Sequence, residues 1–122
     1  MSSSSFYINR PGNENFTSKG TLEFMKKISV KTGIYCGKKN CQEYVNHRYG
    51  FSKLYYGKYY NNIPFEKMKK IESRVLYSLQ HRYGYTRQHG KKEHFMLPRK
   101  KSAILKFVED VKSLYDEYSY RF

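Results

Sequence analysis

Apolar residues recur along two stretches of the chain with the period of an α-helix. Phe65, Met68, Ile71, Val75, Leu76, Leu79 and Tyr83 form one continuous face. Pro64 stands at the first turn and Gly84 follows the last, the asymmetry that helix ends favour. From about Ser102 to Tyr118, a second stripe of Ile104, Phe107, Val108, Val111, Leu114, Tyr115 and Tyr118 faces inward. Its outer side mixes Lys106 and Lys112 with Glu109, Asp110, Asp116 and Glu117, which marks a structural helix or one turned toward protein neighbours. Two shorter helices complete the pattern. Thr21 caps one over residues 21 to 32, with Phe24, Met25 and Ile28 inward and Gly33 as its stop. Asn40 and Glu43 resemble a capping box that opens another, ending at Gly50.

Between these elements the pattern says less. Residues 51 to 63, built around Tyr55-Tyr56-Gly57-Lys58-Tyr59-Tyr60, fold as a small hairpin or an aromatic loop, and periodicity does not choose between them. Residues 85 to 101 read as a basic loop. Residues 1 to 20 are rich in Ser, Asn and Gly and read as a flexible N-terminal arm, which Phe6, Tyr7 and Arg10 could anchor on a partner. The expected fold is mainly α. It is a single domain at residues 21 to 122, a small bundle of about four helices with a flexible N-terminal arm and a Tyr-rich loop or hairpin.

Charge changes this picture more than composition does. A chain of 122 residues suits one modest core, and with 14 Tyr and no Trp its aromatic material suits half-buried, half-hydrogen-bonded surfaces. The net charge is +14. Residues 34 to 101 hold 16 of the 24 Lys and Arg but only 4 of the 10 acids, whereas residues 102 to 122 hold 3 cations and 4 acids. Such asymmetry points to a polyanion facing the middle of the chain. No apolar run is long enough to span a membrane. The start, Met1 to Phe6, lacks the apolar centre of a secretion signal, and two cysteines do not make a disulfide framework. These features place the protein inside a cell or inside an assembled particle such as a virion. The Asn15-Phe16-Thr17 sequon is then accidental.

One heptapeptide recurs. His47-Arg48-Tyr49-Gly50-Phe51-Ser52-Lys53 returns 34 positions later as His81-Arg82-Tyr83-Gly84-Tyr85-Thr86-Arg87. Each copy gathers cations, a phenol, a hydroxyl and a glycine amide, an inventory that grips phosphate oxygens. Each is also a helix end by construction, because Gly adopts the left-handed conformation and His and Arg suit the negative end of the helix dipole. The candidate nucleic-acid contacts therefore begin with His47, Arg48, Tyr49, Lys53 and Lys58, and with His81, Arg82 and Arg87. Lys67, Lys70, Arg74 and His81 add an acid-poor stripe on the outer side of the long helix. Lys91, Lys92, Arg99, Lys100 and Lys101 come from the basic loop.

Reactive chemistry finds little support. Cys36-x4-Cys41-x5-His47 offers three soft donors, with His81, His89 or His94 as a fourth, but structural zinc sites use a tighter first pair and a second pair elsewhere. No metal and no cofactor are expected. Gly33-Ile34-Tyr35 and Tyr55-Tyr56-Gly57 resemble the two signature segments of the GIY-YIG endonucleases. That family sets the segments on adjacent strands and adds a helical arginine and a distal glutamate, roles that Arg74 and Glu109 would fill. Here the gap between segments is long and the second lacks the family's Ile. No phosphate-cradling glycine loop and no paired carboxylates appear. The expected role is non-enzymatic.

The expected function is a structural protein that binds nucleic acid through phosphate contacts without reading sequence, coating or packaging it in a repetitive assembly. Duplex DNA is favoured as the partner, with RNA as an alternative and self-association or a related subunit alongside. In general layout the chain resembles the coat proteins of filamentous archaeal viruses, small helical bundles with an arm that wrap duplex DNA. That resemblance implies a dimeric unit and many copies per filament. Two other readings stand beside it: a small basic subunit of an RNA–protein assembly, with tyrosines stacking on exposed bases, and a binder of acidic proteins.

Overall fold

The computed structural model describes residues 4–10, 27–36, 40–49 and 53–121. Along these run β1 (Ser4–Arg10), β2 (Lys27–Cys36), α1 (Cys41–Tyr49), β3 (Lys53–Tyr60), α2 (Phe65–His81), β4 (Thr86–Arg87), β5 (His94–Pro98) and α3 (Lys101–Arg121). The strands form one antiparallel sheet in the order β3-β1-β2-β5-β4. The fold is thus α/β, not the mainly α bundle that the helical periodicities suggest. Among the described residues there are three helices, and none is long and apolar enough to cross a membrane.

Four segments carry the correction. Residues 4 to 10 are a buried strand at the heart of the sheet, not an arm. Phe6 and Ile8 point to one face and Tyr7 to the other, and the flanking Ser4, Ser5 and Asn9 are as buried as they are. Ser4 manages this by donating its hydroxyl to the Ile63 carbonyl at 2.8 Å. Residues 27 to 36 form β2, so the expected helix over 21 to 32 is replaced at its second half, while residues 21 to 26 lie outside the described residues. Ile28, Val30, Thr32 and Ile34 alternate, and four β-branched side chains on one face favour a pleated strand over a helix. The Tyr-rich segment is neither a loop nor a self-contained hairpin. It is one strand, β3, paired with β1 and followed by a turn into α2.

The fourth segment is residues 85 to 101, which carry β4 and β5 of the sheet rather than forming a basic loop throughout, while the helices follow their local signals. Asn40 accepts hydrogen bonds from the amides of Gln42 and Glu43 at 2.8 and 3.3 Å, capping α1 as its sequence indicates. α2 and α3 match their apolar stripes closely. Together they cover the face bearing Phe6, Ile8, Ile28, Val30, Phe95 and Leu97 with Met68, Ile71, Val75, Phe107, Val111 and Leu114. The Phe6 ring lies flat on the Tyr115 ring, centroids 3.9 Å apart.

α1 packs on the opposite face, with Val45 against Tyr7 and Tyr35, and Tyr44 stacked on Tyr35 at 4.2 Å. Its close approach depends on two glycines. Gly33 and Gly57 are the register partners of Tyr7 on either side. A Cβ at Gly33 would strike the Tyr7 ring, and one at Gly57 would strike the Cys41 side chain. Gly33 is therefore a packing residue inside a strand rather than a helix stop.

Candidate nucleic-acid interface

Four strands and a helix bring their ends together at one pole of the sheet. Arg10 closes β1 and is the register partner of Lys53, which opens β3. The register then slips between Ile8 and Asn9 and passes over Tyr55. At the neighbouring edge, Pro98 ends β5 opposite Lys27, because proline has no amide to extend the ladder. The chain turns at once, with the Lys100 amide donating to the Pro98 carbonyl at 2.7 Å, and enters α3 at Lys101. The result is a groove of about 460 Å³ lined by Arg10, Lys53, Arg99, Lys100 and Lys101, with Ile28, Tyr55, Ile104 and Leu105 supplying the apolar surface. No acid among the described residues lines it.

Its electrostatics run against helix convention. Cations are disfavoured at the positive N-terminal end of a helix, where Asp and Glu belong. The first turn of α3 nevertheless contains no acid and begins with Lys101, preceded by Arg99 and Lys100. These three side chains carry donors only and so cannot cap the free N–H groups of that turn. Arg10, Lys100 and Lys101 make no ion pair among the described residues, and Lys53 sits over the Tyr55 ring, 5.5 Å from its centroid. An anion in the groove would meet both the side-chain charges and the helix end.

The other sequence candidates are dispersed. Lys58 pairs with Asp116 at 3.3 Å and Arg82 with Glu117 at 3.2 Å. Both cations are thus answered by acids of α3, which lie only in its later turns. Lys67 borders a second cleft of about 560 Å³, which also holds Lys58 and Asp116. Lys70, Arg74 and His81 lie exposed along α2, with His81 against Tyr77 at 4.2 Å. Arg87 is half-buried over Phe95, and Lys91 and Lys92 are exposed on the β4–β5 turn. His47 and Arg48 are exposed on α1. The two heptapeptides do end helices, α1 at Tyr49 and α2 at His81, and Gly84 adopts φ +75°. They stand on opposite faces of the sheet and do not converge, while residues 50 to 52 lie outside the described residues.

The groove therefore collects Lys53, Arg99, Lys100 and Lys101 from the sequence candidates and adds Arg10, together with an apolar lining. Arg10 and Lys53 are 43 positions apart, and only the β1–β3 pairing joins them. Leu105 is 55% exposed beside Lys101 and falls off the inward stripe of α3, the one trace of it in the sequence.

A second charged cluster is internal. Lys31 pairs with Glu93 beside Glu72, beneath Tyr115. Burial and the Glu93 carboxylate push the Glu72 carboxyl up to about 8, against the pull of Lys31. Burial, aided by Lys31 and Lys91, pushes His94 down to about 4. These groups answer one another inside the domain.

Cys36 and Cys41 are not joined in a disulfide; Cys41 lies 3.2 Å from the Tyr35 hydroxyl, and burial raises its pKa. Among the described residues no three His, Cys, Asp or Glu side chains gather as metal ligands. Gly33-Ile34-Tyr35 lies on β2 and Tyr55-Tyr56-Gly57 on β3, with β1 between them rather than on adjacent strands. Arg74 is exposed and Glu109 pairs with Lys112 at 3.4 Å. The helical-bundle layout behind the resemblance to archaeal virus coat proteins gives way to the sheet. Comparison of the chain with protein-family models, with curated proteins and with solved structures finds no match.

Proposed function

We propose that the protein binds nucleic acid through phosphate contacts, without reading base sequence, and that the acid-free groove at the start of α3 is where it does so. The role is one of binding rather than turnover, in keeping with a protein that coats or organises a nucleic-acid polymer. One observation carries this reading: Arg99, Lys100 and Lys101 stand together at a helix end that favours negative charge. Like charges crowded at such a place destabilise the isolated fold, and a phosphodiester chain relieves them. Phosphate contacts of this kind supply affinity while leaving sequence unread.

Replacing Lys100 and Lys101 together by Ala tests it. Both side chains are exposed, so the variant keeps its fold. Binding to an arbitrary oligonucleotide, followed by fluorescence anisotropy, weakens by roughly tenfold or more at low salt. Unchanged affinity in the folded variant contradicts the assignment of this groove. Replacing Lys70 and Arg74 by Ala is the control and leaves most of the binding in place.

A further inference from the structure

We infer that the groove takes single-stranded nucleic acid in preference to a duplex, with a base laid on its apolar floor and the phosphates on its cationic rim. This rests on the nucleic-acid reading above and narrows its ligand class. Two features of the groove set the preference. It is concave and of about 460 Å³, the scale of one or two nucleotides and far too small to admit a duplex. Its lining is also amphipathic. Arg10, Lys53, Lys100 and Lys101 stand around Ile28, Tyr55, Ile104 and Leu105, and Leu105 is 55% exposed. A duplex keeps its bases stacked inside and presents only phosphate and sugar, so it can touch the rim but leaves the apolar floor facing a polar backbone. A single strand carries both chemistries on one chain, because an unpaired base is flat and apolar on its faces while its phosphates remain free. The other tyrosines of β3 do not offer this platform. Tyr55 packs against the core as Tyr56 and Tyr60 do, but of the β3 tyrosines it is the one that lines the groove.

Leu105 decides the matter experimentally, since it is exposed, uncharged and outside the core. A fluorescein-labelled oligo-dT of fifteen nucleotides and a fifteen-base-pair duplex are titrated against the wild type, Leu105→Ser and Leu105→Tyr. The single strand binds more tightly to the wild type. Leu105→Ser weakens it about fivefold and Leu105→Tyr strengthens it, while duplex binding moves less than twofold in either variant. Duplex binding equal to or tighter than that of the single strand, with both variants silent, overturns this inference and leaves the phosphate reading standing. Failure of both nucleic acids to bind removes both readings together. Leu105-dependent capture by phosphatidylserine vesicles without oligonucleotide binding also removes both, and assigns the surface to a membrane.

Discussion

Glu72 and His94 give the domain an unusual response to pH, and their slopes oppose each other. The folded chain holds a proton on Glu72 up to about 8, whereas the unfolded chain releases it near 4.5. Stability therefore declines as pH rises across that span. His94 behaves in the reverse sense. Unfolded, it takes up a proton near 6.5, and folded only near 4, so stability declines as pH falls across that interval. The two slopes offset each other between pH 4.5 and 6.5, and from about 6.5 to 8 only that of Glu72 remains. The groups facing it are Lys31 on β2, Glu93 before β5 and Tyr115 on α3. Urea unfolding thus shows a loss of at most about 2 kcal/mol between pH 6.5 and 8, and Glu72→Gln flattens it. A Gln variant that keeps the decline assigns it to another group.

At the scale of elements, the start of α3 trades stability for charge. Lys101 is exposed and stands against the helix dipole, so Lys101→Glu raises the unfolding free energy by about 1 kcal/mol while weakening oligonucleotide binding. A variant that is less stable contradicts the electrostatic account of that turn. The same scale shows what pattern reading can recover. α2 and α3 were legible because each repeats its apolar stripe over at least four turns, and α1 because Asn40 carries a cap. β1 was hidden by composition. Ser4, Ser5 and Asn9 read as a solvated arm, yet are fully buried in a central strand. β2 reads as part of a helix because Gly33 resembles a stop, whereas the role of that glycine is to leave room for the Tyr7 ring. That need arises from strand pairing and has no local signature. The candidate groove is legible only in part: Lys53 comes from the repeated heptapeptide and Arg99, Lys100 and Lys101 from a basic run, while Arg10 and Leu105 enter through register and helix phase.

For the whole molecule, the question is how a charge of +14 is distributed. The acids of α3 answer Lys58, Arg82, Lys106, Lys112 and Arg121, and Glu93 answers Lys31. Lys67, Lys70 and Arg74 along α2, and Arg10, Lys53, Lys100 and Lys101 at the pole of the sheet, have no such partners among the described residues. Lys67 borders the second cleft beside Asp116, whereas Arg10, Lys53, Lys100 and Lys101 line a groove with no acid among the described residues. The salt dependence of oligo-dT binding reads that set directly, because each neutralised phosphate releases its share of counterions. Four cations in contact give a slope of log Kobs against log salt of about −3, falling to about half that when Lys100 and Lys101 are both Ala. A slope near zero, or one that the double substitution leaves unchanged, contradicts the claim that these cations hold a phosphodiester chain.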